Sequence, residues 1–427
     1  MLLTALRSVA SLLLGAGILI LGNGLVGILL PVRLGVENMS PVTTGLVMSA
    51  YYAGLVAGSL WGKQIITRVG HIRAFAAFAA LLCAATLTHA LWFSPIPWAI
   101  LRFISGFCMA ALFATIESWL NERSTNDLRG QVLSLYQWTA YLASGIGQLL
   151  INIADVRNLV LYIVAALLLS LSLVPVVLTH VQGPDISRIR PLPLKELYRI
   201  SPLGVVGCFG AGIMSGSIYG MGPIYGHEIG LTIFQVSLFM GAAILGGLIL
   251  QWPIGRLSDR FDRRTVLLVV LFAVTAAFAA MYLMSAAGIG STLVLLGMPV
   301  LFGGAMSTIY PISVSHAFDY VSRDRMVAAS SGLLLAWAIG STAGPFAVSL
   351  LMGQFGPTML FLFLAVVTAL LALFAAYRMS RRAALPSAEQ ATFVPLPPTG
   401  DVAGSLDPRA EKGANLGAAQ RAAAAAG

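Results

Sequence analysis

The stretch RFISGFCMAALFATIESWLNER, Arg102 to Arg123, is long and apolar enough to cross a bilayer, yet carries Arg102 near its start and Glu117 well inside. On a helix the two lie about 22 Å apart along the axis and about 60° apart around it. They cannot pair with each other, but both can face one cavity. A charge at membrane depth costs at least about 2.5 to 3.5 kcal/mol unless it is paired or wet, so each is a functional-site candidate. Two kinds of role fit Arg102: a carbonyl-bonded or snorkelled helix lock near the outer surface, or a functional one, capture of an anion or control of a neighbouring proton site. For Glu117 an inner-gate salt bridge with a loop arginine comes first, proton carriage second and direct substrate contact last.

Further polar groups lie in apolar surroundings. Asn23 sits in LGNGLVG, and Gln137, Tyr141 and Gln148 lie in a later apolar run. The segment GSIYGMGPIYG places Tyr219, Met221 and Tyr225 around Pro223, where the missing N–H favours a bend. TIYPIS places Tyr310 beside Pro311. Trp337 reads as packing, and His89 and His316, near helix ends, read as solvated interfacial groups. Cys83, Cys108 and Cys208 lie in apolar runs without metal-ligand spacing and read as small core hydrophobes. No nucleophile elbow, zincin motif or P-loop stands out, so the expectation is no enzyme, no metal and no cofactor.

The elements that must hold these residues are set by composition. Of 427 residues 58% are hydrophobic and only 10% charged, with mean hydropathy +0.89. A soluble domain needs roughly a quarter of its residues charged, so most of this chain is solvated by lipid. Twelve apolar stretches have helix-spanning length: Ser8 to Pro31, Val42 to Trp61, Ala74 to Phe93, Trp98 to Leu120, Val132 to Ile153 and Leu159 to Leu178. After a polar connector come Leu203 to Ile224, Ile233 to Ile254, Val266 to Met284, Leu293 to Ser315, Val327 to Leu351 and Met359 to Tyr377. They are continuous rather than alternating, which selects helices over barrel strands. The first has no clear cleavage site after it and reads as a retained anchor.

Every second connection is basic: Lys63, Arg68 and Arg73; Arg123 and Arg129; Arg188, Arg190, Lys195 and Arg199; Arg256, Arg260, Arg263 and Arg264; Arg323 and Arg325. With Arg7 before the first span and Arg378, Arg381 and Arg382 after the last, both termini are expected in the cytoplasm. The net charge of +9 is thereby accounted for by topology, without a nucleic-acid partner. The expected division is 1–180 as a first six-helix bundle, 181–202 as a cytoplasmic linker, 203–382 as a second bundle and 383–427 as a tail. The tail, rich in Ala, Pro and Gly, has no evident packing face and is expected to be disordered.

The halves repeat weakly. GKQIITRVGHIR after the second span corresponds to GRLSDRFDRR after the eighth, and the fourth and tenth spans both exit into acid-then-base loops. Such six-helix repeats mark secondary transporters with a site at the repeat interface. GRLSDRFDRR resembles the loop signature of the major facilitator superfamily, and RFISGFC resembles its fourth-helix arginine–glycine pattern, with Cys108 in place of the last glycine. ERSTNDLRG matches its acid-to-arginine spacing from Glu122 to Arg129. IESWLNERSTNDLRG, GQLLI, GSIYGMGPIYG and LQWPIGRLSDRF look like the YcaD-type branch, and the resemblance spans roughly residues 8 to 380. Departures are Thr67 where an aspartate is expected, Asp262 for a glycine, and Gln148 where many drug antiporters carry Gly-Pro, a motif whose relative GSTAGP lies in the eleventh span.

The resemblance implies an all-α polytopic membrane protein of two pseudo-symmetric six-helix bundles in a bacterial cytoplasmic membrane. It implies a solute and proton pathway at the half-interface, drawn from the first, fourth, seventh and tenth spans. The candidates are Arg102, Glu117, Asn23, Gln137, Tyr141, Tyr219, Tyr225 and Tyr310. The basic loops supply a cytoplasmic gate of Asp259, Arg260, Arg263, Arg264, Glu122, Arg129, Arg68, Arg73 and Asp319; when that side closes, Asp259 can pair with arginines or with a helix N-terminus across the halves. The expected function is secondary transport of a small solute by alternating access, monomeric, coupled to protons, with export favoured over uptake. The rival is a non-transporting sensor or assembly partner on the same fold.

Overall fold

The computed structural model describes residues 2–124, 128–178, 192–288, 292–383, 385, 390, 393–398 and 407. Arg188 and Arg190, the side chains of Arg7 and Arg323, and most of the tail lie outside the described residues.

The described chain is helical and, within it, without strands. The first half holds α1 (Leu2–Val36), α2 (Pro41–Val69), α3 (His71–Leu91), α4 (Pro95–Arg123), α5 (Arg129–Leu149), α6 (Leu159–Leu171) and its continuation α7 (Leu173–Val177). A short α8 (Leu194–Ile200) precedes α9 (Pro202–Glu228), α10 (Ile233–Arg260), α11 (Arg263–Ala286), α12 (Thr292–Phe318), α13 (Met326–Phe355) and α14 (Met359–Arg381). Local chemistry sets several of the ends. Ser40 caps α2 and Pro41 opens it, Thr232 and Gln235 form a reciprocal capping box on α10, and Gly70 at φ +87° turns the chain between α2 and α3. Ten helices among the described residues are long and apolar enough to cross a membrane. The other two, α2 and α5, have the length, 29 and 21 residues, but carry polar and small side chains toward their neighbours.

The repeat is visible in which helices touch. α2 lies on α4 as α10 lies on α12, α1 on α5 as α9 on α13, and α3 on α6 as α11 on α14. The first two pairings are backbone to backbone. A Cβ at Gly54 or Gly106 would come within 2.0 or 1.9 Å of the Phe103 or Tyr51 carbonyl oxygen; at Gly246 or Gly303 it would come within 2.3 or 2.2 Å of those of Val300 and Ala243. Without a hydrophobic drive between helices in lipid, such close approach supplies the dispersion contact that holds each half together.

The halves meet along α5–α10 and α2–α13. At the end away from the basic loops they are closed. Asn152 donates to Ser237 Oγ at 2.8 Å, and Gly45 lies so close to α13 that a Cβ there would fall 2.2 Å from Ser349 Oγ. At the basic end Arg325 reaches Glu196 in α8, tying the connector to the second half, and Arg264 at the start of α11 donates to the Arg382 carbonyl just past α14 at 2.7 Å. One stretch of the tail differs from expectation. Phe393–Pro398 does find a packing face, with Val394 and Leu396 buried, because its apolar side chains alternate with prolines and enter a gap between the halves.

Candidate functional site

Between the halves lies a cavity of about 280 Å³. From the first half it is lined by Asn23 of α1, Tyr51 and Tyr52 of α2, Arg102 of α4, and Gln137, Tyr141 and Gln148 of α5. From the second half come Tyr219 of α9, Met240 of α10, Ser307 and Tyr310 of α12, and Trp337 of α13. Arg102 is the only formally charged side chain on this wall among the described residues.

Arg102 is buried to 3% exposure, with its guanidinium carbon 4.1 Å from the Tyr51 ring centroid. That stacking uses the negative face of the ring and recovers part of the cost of burying a cation. The Arg102 Nε meets no hydrogen-bond partner, and no carboxylate pairs with the guanidinium among the described residues. Aromatic rings continue the wall: Tyr52 stands edge-on to Tyr51 at 5.3 Å, and Trp337 lies 6.3 Å from both Tyr52 and Tyr310. Trp337 therefore bridges the halves, and its role exceeds the packing expected of it. Gln137 donates to Gln251 at 3.5 Å across the α5–α10 seam, while Gln148 donates to the Gly24 carbonyl at 3.1 Å and fixes α5 to α1.

Six of the eight expected pathway residues line the cavity: Arg102, Asn23, Gln137, Tyr141, Tyr219 and Tyr310. Glu117 does not. It is fully buried between α4 and α5, where Tyr136 donates to its Oε1 at 3.5 Å, because it lies about 22 Å further along α4 than Arg102, beyond the end of the cavity wall. Tyr225 is also elsewhere, donating to Ser285 Oγ at 2.9 Å and stacked edge-on against Phe361 at 4.8 Å inside the second half. His89 and His316 are buried rather than solvated. The His89 Nδ1 lies 2.7 Å from the Ala85 carbonyl oxygen, and His316 stacks on Tyr320.

At the basic end the second-half charges pair among themselves. Arg263, 1% exposed, bonds Asp319 at 2.6 Å and lies 3.7 Å from Asp259, while Arg264 bonds Asp262 at 2.9 Å. With this end open, the Asp259 Oδ1 accepts from the Phe393 backbone N–H at 2.6 Å. The halves stand apart here, so a cross-interface pair is out of reach. Arg260, Glu122, Arg68 and Arg73 are exposed, and Arg129 is buried at the start of α5. A second cavity of about 260 Å³ lies in this gap, lined by Gln137, Trp138, Gln251, Trp252, Arg256 and Asp259 together with Phe393 and Pro395 of the tail.

Sequence reasoning missed Tyr51, Tyr52 and Trp337. The adjacent tyrosines of YYAGLVAGS sit among small residues on a helix expected only to pack, although two large polar rings on such a helix are a signal that it borders a space.

Comparison with known proteins agrees with this architecture. The Major Facilitator Superfamily profile matches residues 12–312 and 206–408. The MFS-type transporter YcaD of Escherichia fergusonii is 30% identical over 367 residues, covering 85% of this chain and 93% of that protein. Its counterpart in Escherichia coli O45:K1 is 31% identical over 368 residues, covering 86% and 94%. Among solved structures the nucleoside transporter NupG superposes with a TM-score of 0.74 at 14% identity, covering 88% of this chain and 100% of that one. The D-xylose-proton symporter superposes with a TM-score of 0.67 at 14% identity, covering 91% and 100%. With two repeated six-helix halves, an interface cavity, and a profile match and relatives that run across most of its length, this chain belongs to the major facilitator superfamily.

Proposed function

We propose that this protein is a secondary transporter that carries a small solute across the bacterial cytoplasmic membrane as a single chain, by rocking its two halves about the central cavity. The observation that carries the reading is the cavity itself, enclosed between the repeats, lined by both, and closed at one end only. Alternating access requires such a site and two ends that open in turn. The basic loops support an open end and both termini on the cytoplasmic side by the positive-inside rule, and in this reading the conformation faces inward. Glu117 is the proton carrier in this reading: a carboxyl enclosed by protein at membrane depth changes charge only with a change of surroundings. Export is the favoured direction.

The test compares cells overproducing the protein with cells producing Arg102→Ala, Glu117→Gln protein at equal membrane abundance. Metabolites and a panel of toxic compounds are profiled inside and outside at two external pH values. Redistribution of one solute with the intact protein alone supports transport, and its pH dependence reports coupling. If no solute moves although both forms reach the membrane, a sensor or assembly role replaces this reading.

A further inference from the structure

We propose that the transported solute is a small organic monoanion, a carboxylate on a flat apolar body, held by Arg102 at the closed end of the cavity. This rests on the transport reading above. The wall offers one buried guanidinium and, among its described residues, no acidic side chain. One face of Arg102 is taken by Tyr51, while its Nε is left without an acceptor. A planar fork with donors to spare suits a carboxylate, which can accept two parallel bonds from it. A single positive charge with no second cation balances one negative charge, which selects against phosphate dianions. A cationic solute would meet an uncompensated like charge in a poorly hydrated space. Tyr52, Trp337, Tyr310 and Tyr219 then supply ring faces and hydroxyls for a flat body, and the small volume limits its size.

The experiment uses the full chain in detergent and follows thermal unfolding with benzoate and indole-3-acetate, their neutral amides benzamide and indole-3-acetamide, and benzylamine. The expected result is stabilisation by the carboxylates at concentrations at least tenfold lower than by the amides, and none by the amine. Arg102→Lys retains part of this preference and Arg102→Gln abolishes it, with both variants checked for monodispersity. Equal response to amide and acid, preference for the amine, no response to either acid, or an anion preference surviving in Arg102→Gln each overturn the proposal. A neutral or cationic solute found in the cell-profiling test would overturn the anion assignment while leaving transport standing.

A separate observation concerns the tail. We infer that Phe393–Pro398 is a plug that occupies the open mouth and holds the transporter in this conformation. The Phe393 N–H bonds Asp259, and its ring presses on Gly255, where a Cβ would lie 2.4 Å from it. Pro395 borders the second cavity at the basic end, Leu396 is 1% exposed, and Pro397 and Pro398 border the central cavity itself. The chain thus enters from the basic end and points toward the solute site. The gap between α5 and α10 that must narrow for the halves to rock is filled by this segment.

Labelling tests it without a known substrate. Ser215→Cys places a thiol on the cavity wall, and its reaction with a membrane-impermeant maleimide is followed from the basic side, above the background of the parent protein. Leu396→Asp, or a stop after residue 383, is expected to raise the labelling rate at least fivefold. An unchanged or lower rate in both overturns the plug.

Discussion

The Arg102 guanidinium lies 4.1 Å above the Tyr51 ring, and the two side chains come from α4 and α2, the pair whose backbones touch at Gly54 and Gly106. The stacking is therefore positioned by main chain, not by flexible side chains. Tyr51→Leu removes the ring face, worth about 1 to 2 kcal/mol for a desolvated cation–π contact. The expected outcome is a corresponding loss of stability and a weaker response to carboxylates, both read by thermal unfolding, whereas Tyr51→Phe keeps most of each.

The closed end is sealed by contact rather than by charge at Gly45. Gly45→Val drives a branched side chain into Ser349 and the Pro345 carbonyl, where even a Cβ would lie 2.2 and 2.8 Å away. Spin labels at Asn38 and Gln354 are expected to move to longer separations in this variant. Gly297→Ala, at a helical position with nothing within 4 Å of an added Cβ, is expected to leave them unchanged.

Asp319→Ala removes the nearest counter-charge of buried Arg263, leaving Asp259 at 3.7 Å, and is expected to destabilise the protein by up to about 3 kcal/mol. The double change Arg263→Met with Asp319→Leu removes both charges and costs far less. Chemical unfolding of the purified chain measures the difference.

Asp262, in the turn before α11, gives a pH dependence. Burial raises its pKa, but the hydrogen bonds and charge of Arg264 outweigh burial and hold the carboxyl below its ordinary 3.8. A carboxyl with a depressed folded pKa stabilises above its unfolded value and loses that contribution as pH falls through the folded one. The unfolding temperature is thus expected to fall on acidification from about pH 4 downward, and Asp262→Asn to lower it at neutral pH while flattening that part of the profile.

Much of the architecture was legible because lipid imposes a coarse rule. Long apolar runs must be helices, and their basic connections alternate, so the spans from α1 to α14 could be marked from residues such as Arg68, Arg129 and Arg264. The wall of the cavity was legible only where helix geometry was followed. Tyr219 and Tyr225 share one motif, yet six residues turn a helix by about 240°, so one faces the cavity and the other the second-half core. Glu117 shares roughly one side of α4 with Arg102 but lies about 22 Å along the axis, beyond the cavity and against α5. Tyr52 and Trp337 touch across the halves although they lie in different repeats, and a contact between distant segments leaves no local pattern. The seat of Phe393 was hidden for the same reason, since a short apolar run between prolines has no period of its own.

The backbone contacts within each half also bear on biosynthesis. Gln148 bonds Gly24 and Ser341 bonds Gly212, so each of these ties joins two helices of one half across 124 and 129 residues. The first half can therefore close on itself while the ribosome is still making the second, and the second can close without waiting for the seams. The seams come next, and residues 393–398 emerge only after both halves. A chain interrupted after α14 but before residue 393 would have both halves and the cavity but nothing in its mouth.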